Sequence, residues 1–247
     1  MDLIIDKDID YIIPSCNELN ILVKKNVSAN IIEKNDIDRL INITLEEDSN
    51  LSYISIDVST NTKKNITLNR SSSLNMISSS FKGGNKEINA YLNEEDASFN
   101  LKQIIMMKDE LDNEITNVYH KASNTNSLIE NYITSNKANV NVDVIGKIEK
   151  GMNNSNCVQK SRGIIISDNA NIKIKPVLLI DEYDVSANHG CAIGKIDDEG
   201  LYYLMSRGIS KKEAEMLIIK GFLSPILNKL TNEDIKNELV NLQDEKL

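Results

Sequence analysis

Apolar and polar residues alternate through the middle of the chain, from residue 41 to residue 180. Residues 139–144, for example, read Asn-Val-Asn-Val-Asp-Val. A period of two places every second side chain on one face of an extended strand, so the pattern predicts strands with one buried face. Residues 1–40, interrupted at Pro14, fit strand and helix equally, and we expect them to form an N-terminal cap. The other strand-like runs are Leu51–Val58, Phe99–Met107, Ile115–Tyr119 and Ile164–Ile166.

Four short segments share one pattern: polar, small, polar, apolar, polar, apolar. They begin at Asp48, Asp96, Lys137 and Asn169. A small residue between polar residues suits a tight corner, and the alternating tail suits the strand that leaves it. Such units are typical of a solenoid, in which each coil buries its apolar face against its neighbours. Their spacing is uneven, so the pattern alone fits an irregular β-helix and a β-sandwich equally well.

The C-terminal part of the chain carries helix signals. Asp197 is suited to cap the N-terminus of one helix, and Gly208 is suited to close it. Ser210 and Glu213 have the spacing of a capping box, in which each side chain accepts a hydrogen bond from an unpaired backbone N–H. These signals predict two successive helices.

Two further positions shape the end of the chain. Pro225 has no backbone N–H to donate inside a helix, so we expect a kink or a restart there. Thr231 precedes Asn-Glu-Asp, and this order predicts an N-cap and a further short helix.

Composition excludes several classes of function. The net charge of −9 and the sequence pI near 4.9 argue against a surface for nucleic acid or an anionic membrane, which needs clustered lysine and arginine. The sequence contains no apolar run near the roughly 20 residues of a membrane span. The first residues include acids, whereas a signal peptide begins with basic residues, so we expect no export. The three cysteines form no CxxC motif, so we expect reduced thiols in the cytoplasm. The sequence has neither a Walker motif nor a recognisable Ser-His-Asp spacing, so we expect no bound nucleotide and no hydrolase chemistry.

A family resemblance runs from Asn188 to Phe222. These residues read NHGCAIGKIDDEGLYYLMSRGISKKEAEMLIIKGF, which resembles the C-terminal signature of the SufB/SufD family, the scaffold proteins of the SUF iron–sulfur cluster assembly system. Looser likenesses lie at residues 118–120 with Thr125 and Ser127, at residues 162–170 and at residues 175–176.

The resemblance decides between the two folds that the pattern left open. Members of this family have a right-handed parallel β-helix followed by a C-terminal helical domain. The resemblance therefore implies a mainly β chain with a right-handed parallel β-helix (solenoid) core over residues 41–195. A C-terminal α-helical domain over residues 196–247 would follow, and the N-terminal cap over residues 1–40 would precede.

His189 and Cys191 are the candidate metal ligands. We expect them in a turn at the junction between strands and helices, where Gly190 allows close backbone approach. A neutral imidazole is a good iron or zinc ligand, and a thiolate is a soft one. The resemblance implies that His189 serves cluster chemistry; the alternative is a hydrogen bond that stabilises the junction. The family usually has alanine at the position of Cys191, so this residue is either an added ligand or a small buried side chain.

Other candidate positions favour structural roles. His120 ends a strand-like run, where a lone histidine is more often hydrogen-bonded than a ligand, and Cys157 is expected in a corner. Ala170 lies where SufB-type members commonly have a cysteine that is implicated in holding the nascent cluster. The chain therefore resembles a SufD-type or undifferentiated SufBD member.

The resemblance implies a non-enzymatic scaffold subunit that acts with a SufC-like ABC ATPase and holds an iron–sulfur cluster transiently. The apolar residues Leu217, Ile218, Phe222 and Leu223 are the expected docking site for the ATPase. Pairing is expected through an edge near residues 164–166 and 177–180, as a homodimer or with a SufB-like paralogue. Two alternatives are a β-helical carbohydrate-active enzyme and an interaction module without cluster chemistry.

Overall fold

A computed structural model describes residues 1–13, 16–230 and 232–247 of the chain. In these residues the chain forms sixteen strands followed by three helices. The odd-numbered strands are β1 (Asp2–Ile5), β3 (Glu18–Val23), β5 (Arg39–Leu45), β7 (Asn61–Leu68), β9 (Asn85–Leu92), β11 (Leu111–His120), β13 (Asn139–Ile148) and β15 (Asn171–Ile180). The even-numbered strands are β2 (Ile9–Ile13), β4 (Ser28–Asn35), β6 (Asn50–Asp57), β8 (Ser73–Ser80), β10 (Ser98–Lys108), β12 (Asn126–Asn136), β14 (Asn156–Ile165) and β16 (Ser186–Lys195). The helices are α1 (Asp198–Ser206), α2 (Lys211–Leu227) and α3 (Glu233–Lys246).

Successive strands alternate between two open sheets. One sheet has the order β1-β3-β5-β7-β9-β11-β13-β15, and the other has the order β16-β14-β12-β10-β8-β6-β4-β2. Neighbouring strands pair in parallel throughout the described residues. Each coil therefore gives one strand to each sheet, as in a parallel β-helix. The predicted mainly β solenoid is confirmed, and a β-sandwich is excluded because its sheets are antiparallel.

The corners of the coils repeat one backbone conformation. Six successive connections from an odd to an even strand contain a non-glycine residue at positive φ: Asn26, Asp48, Ser71, Asp96, Asn124 and Asn154. Asparagine and aspartate tolerate this conformation because their short side chains hydrogen-bond locally. The small residues that follow Asp48 and Asp96 are fully buried, so they fit inside the corner. The segments at Asp48 and Asp96 thus mark the same corner, whereas those at Lys137 and Asn169 lie at the other corner, between an even and an odd strand.

The sheets extend across the boundary expected at residue 41. Residues 1–40 were expected to form a cap, but β1 to β4 pair in register with the strands that follow. The alternation of β4, with Ala29 and Ile31 buried, supports the same inward packing as in later coils. The division of the chain into domains stays a prediction, while the β-helix itself starts with β1. The break expected at Pro14 lies outside the described residues.

The helix caps match the sequence signals. Asp197 accepts a hydrogen bond from the backbone of Gly200, and Ser210 and Glu213 form both bonds of a capping box. Pro225 lies inside α2 without ending it, contrary to the expected restart, because the hydrogen bond that proline removes is lost only near the last turn.

The third helix begins at a cap one residue beyond the expected one. Asn232 caps α3 by accepting from the backbone N–H of Ile235, while Thr231 lies outside the described residues. None of the described helices is both long and apolar enough to cross a membrane.

The last two helices pack on the outer face of the even sheet. One apolar cluster joins helix and sheet residues: Ile219, Leu223, Ile226, Ile235 and Leu239 lie against Ile56, Phe81, Ile104 and Met106. The Phe222 ring lies 5.3 Å from the ring of Tyr132 on β12. An ion pair between Lys34 and Glu238 ties α3 to β4. The helices therefore cover the flank of the β-helix and leave its C-terminal end open.

Candidate functional site

His189 and Cys191 lie in the middle of β16, not in the turn that we expected. The strand pairs in register with β14, so His189 is opposite Gln159 and Cys191 is opposite Ser161. Gln159 and Ser161 are buried and face the interior of the β-helix. Register neighbours in a parallel sheet share a face, so His189 and Cys191 continue the inner face of the even sheet.

This inner face is open to solvent at β16. Strands β15 and β16 form the last coil, and no further described coil stacks on it to cover the inner face of β16. His189 and Cys191 are consequently exposed, although positions of the same parity in earlier coils are buried. In the described part of the chain the His189 side chain makes no hydrogen bond, so the junction bond left open by the sequence is not formed there. The end of the β-helix thus presents an imidazole and a thiol side by side.

One chain offers only part of a metal site at this end. Among the described residues, no group of three or more His, Cys, Asp or Glu side chains is arranged to hold a metal ion. Histidine and cysteine two residues apart on a strand have side chains on the same face, about 7 Å apart along the backbone. The described residues therefore place two candidate ligands at this end.

His120 and Cys157 occupy the interior. The ring nitrogens of His120 lie 2.7 Å from the Thr125 hydroxyl and 2.9 Å from the Ser127 hydroxyl. Burial lowers the pKa of His120 to about 4, because the charged imidazolium loses its hydration. Burial raises the pKa of the Cys157 thiol. A methyl group on Gly146 would lie 2.5 Å from the Cys157 sulfur, so the lumen is filled here.

The exposed edge at this end differs from the expected one. Residues 164–166 do not form it, because β14 pairs with β12 on one side and with β16 on the other. The terminal strands are β15 and β16, so residues 177–180 do lie at an edge. Exposed apolar side chains lie at or near these strands: Leu179, Tyr183 and Ile193.

The four residues expected to dock a partner are not all available. Leu223 is fully buried against the even sheet, and Ile218 and Phe222 are half-buried, whereas Leu217 is 52% exposed. The reason is that α2 packs along the flank of the even sheet, so the apolar face of the helix is already in contact with its own chain.

Helix α1 supplies apolar surface that the sequence analysis did not select. It has no buried residue in its nine positions, and Tyr202, Tyr203 and Met205 are exposed. Their exposure depends on how α1 packs, which the sequence alone does not show. Leu217 is also exposed, on the helix α2 that contacts α1, and we call these four residues the α1 surface.

The sequence analysis also missed a set of charged residues inside the β-helix. They are Glu33, Arg39, Asp57, Lys64, Lys86, Asp112 and Glu114, all buried. Their signal in the sequence is parity: each falls on an inward position of its strand, where the alternation places buried side chains.

Comparisons with known proteins agree on one family. The family described as "SUF system FeS cluster assembly, SufBD core domain" matches residues 13–222. The iron-sulfur cluster assembly protein SufD of Bacillus subtilis is 48% identical over 103 residues, 42% of this chain and 24% of that protein. A SufBD family protein of Pyrococcus horikoshii is 46% identical over 72 residues, 28% of this chain and 16% of the relative. SufD of Escherichia coli is 34% identical over 80 residues, 32% of this chain and 19% of the relative. The aligned segments thus span about a quarter or less of these relatives.

Proposed function

Since the chain belongs to the SufBD family of the SUF system, we propose that it is a non-enzymatic scaffold subunit of an iron–sulfur cluster assembly complex. The observation that carries the proposal is the open C-terminal end of the β-helix, where His189 and Cys191 share the uncovered inner face of β16. The cluster is cargo, built at this end and then released.

The two side chains suit a site that both holds and releases iron. A neutral imidazole binds iron, and protonation of the same nitrogen releases it. A thiolate also binds iron, as in iron–sulfur clusters that are held by cysteine alone or by cysteine and histidine together. A mixed, incomplete ligand set holds a cluster less firmly than four cysteines do.

A second chain completes the site in this proposal. The terminal strands β15 and β16 each have a free edge, and free edges pair readily with other chains. Pairing across this end would place two His-Cys sets near each other, in a homodimer or with a SufB-like paralogue. The exposed Leu179 and Ile193 supply apolar area for such pairing.

The α1 surface is the proposed docking site for an ABC-type ATPase of the SufC kind. Tyr202 and Tyr203 are 76% and 57% exposed, and tyrosine is enriched where proteins bind one another. The surface follows β16 directly in the chain, so a partner bound there is linked to the strand that carries His189.

The alternative of a carbohydrate-active enzyme has little support in the described residues. The carboxylates inside the lumen are sealed from any polymer, and surface acids such as Glu46 and Glu87 are paired with lysines. An interaction module without cluster chemistry remains the competing proposal, and the following experiment separates the two.

The test is cluster reconstitution in the complex with the ATPase and any paralogue. We expect His189→Ala to lower iron and acid-labile sulfide retained by the complex, and Cys191→Ala to have a smaller effect. Asn188→Ala is the matched control, because Asn188 lies on the same strand with its side chain on the opposite face. Equal iron and sulfide in the parental complex and in His189→Ala, with ATPase binding retained, would favour the module without cluster chemistry.

A further inference from the structure

A cluster of ionisable side chains lies inside the β-helix, several coils away from the open end. It comprises Asp57, Lys64, Lys86, Asp112 and Glu114, none more than 6% exposed. Buried charges are tolerated when they are paired, because an unpaired charge loses its hydration without compensation. We call this set the lumen cluster.

The lumen cluster has more acids than bases. The Lys86 ammonium lies 3.0 Å from Asp112 Oδ1 and 3.8 Å from Glu114 Oε1, so one lysine serves two carboxyl groups. The Lys64 ammonium lies 4.0 Å from Asp57 Oδ2. Two lysines therefore face three carboxyl groups.

Among the described residues, the surroundings of Glu114 offer no third cation. The charged groups that face it are Asp112 on its own strand, Lys86 on β9 and Asp57 on β6. From β10, Gln103 donates its amide to Glu114 Oε2 at 2.9 Å, and the register neighbour on β13 is Val142. A cavity of about 10 Å³ beside Gln103 and Glu114 has room for one water at most, and none for a hydrated cation.

Two carboxyl oxygens of the cluster make no hydrogen bond of ordinary length. Asp112 Oδ2 and Glu114 Oε1 are buried without such a bond among the described residues, although the Ser80 hydroxyl lies near Glu114 and the Gly84 backbone N–H lies near Asp112. The two carboxyl groups are neighbours, because Asp112 and Glu114 occupy successive inward positions of β11 and the same Lys86 ammonium lies 3.0 Å from one and 3.8 Å from the other. Two carboxylates cannot bond without a proton, and a single proton on one of them satisfies the donor deficit and removes the excess charge.

We propose that Asp112 and Glu114 share one proton in the folded chain at neutral pH, and that this proton locks the coils containing β9 and β11. Its loss in alkaline solution leaves an uncompensated charge in the lumen and loosens those coils. The proposal is independent of the proposed function.

The electrostatics agree with the geometry. Burial, and next the nearby charge of Asp112, raise the pKa of Glu114 to about 8. The pKa of Asp112 is raised as well, mainly by burial. An unfolded glutamate titrates near 4.3, so the folded chain binds the extra proton between about pH 4.3 and 8. The stabilising effect of that proton is complete below this window and is lost as the pH rises through about 8.

Thermal and chemical unfolding between pH 5 and 9 test the proposal. In the parental chain we expect the equilibrium constant for unfolding to increase by up to about tenfold for each unit that the pH rises towards 8, because one proton is released on unfolding. Glu114→Gln should lose this pH dependence, since a neutral amide replaces the protonated acid. Glu87→Gln is the matched control: Glu87 lies on β9, is half-buried and pairs with Lys63 at 3.1 Å, so the variant should follow the parental curve.

Infrared spectroscopy of the folded parental protein gives a second readout. A protonated carboxylic acid band should be present at pH 7, disappear with a midpoint near 8 and be missing in Glu114→Gln. Asp112→Asn serves as the second variant if Glu114→Gln does not fold. Absence of the band at pH 7 in the parental protein, or its survival in both variants, would overturn the proposal.

Discussion

The two histidines of the chain show how environment separates residues of one type. His120 is buried and hydrogen-bonded to two hydroxyl groups, whereas His189 is exposed on an open strand. A buried imidazole with both nitrogens bonded has a structural role and cannot bind a metal without losing those bonds. His189 is accessible to a ligand, which is why the proposed function rests on it.

His120 should make the protein sensitive to mild acid. Its folded pKa of about 4 lies below the unfolded value of about 6.5, so the stability it supports is present above pH 6.5 and is lost as the pH falls through 4. His120→Gln keeps a hydrogen-bond donor and an acceptor but does not titrate. We expect its free energy of unfolding to fall by up to about 3 kcal/mol less on acidification than that of the parental protein. Urea unfolding of both proteins at pH 7 and pH 4.5 measures the difference. Parallel loss of stability in the two proteins would contradict the assignment.

At the scale of elements, the helices illustrate what local signals can specify. The caps at Asp197 and Ser210 involve residues three positions apart, so the sequence pattern alone locates them. The apolar face of α2 is equally visible, but its partner is not. Leu223 faces the sheet of its own chain, while Leu217, on the same helix, faces solvent.

The exposed part of α2 gives a sharper docking test than truncation. Removing everything after Gly194 would also uncover Phe81, Ile104 and Met106 on the sheet. We expect Leu217→Asp to weaken ATPase binding by at least about tenfold without unfolding the chain, because it places a charge in the α1 surface. Leu111→Asp is the matched control, since Leu111 is 59% exposed at the start of β11. Unchanged affinity of Leu217→Asp in a titration calorimeter would remove the α1 surface from the proposal.

At the scale of the whole molecule, the β-helix has two open ends of different character. The N-terminal end carries β1 and β2 with the exposed Ile4 and Ile12. The C-terminal end carries the candidate ligands His189 and Cys191. Each end has unpaired strand edges, so pairing with another chain is physically favourable at either. The proposed function selects the C-terminal end.

Sedimentation distinguishes the two ends. We expect self-association, or association with the paralogue, to be weakened by Ile193→Lys, because a charge on an edge strand opposes pairing. Ile4→Lys makes the same change at the other end, where Ile4 is 63% exposed, and should leave association unchanged. A concentration-independent monomer with and without the paralogue, or an effect of Ile4→Lys alone, would refute pairing through β16.

The sequence by itself determined the features that depend on near neighbours. Alternation over ten residues in β13, the small residues after Asp48 and Asp96, and the capping box at Ser210 are all local, and the structure has each of them. The resemblance over residues 188–222 likewise pointed to the family that the comparisons show.

Only the tertiary structure decided the features that depend on residues far apart in the chain. His189 and Cys191 share an uncovered face because β15 and β16 form the last coil, and no further described coil stacks on it. Leu223 is buried because α2 folds back on strands more than a hundred residues earlier. The partners of Glu114 come from separate coils, so no local period reveals them. Stacking of coils sets these contacts, and a pattern read along one strand carries no information about the next.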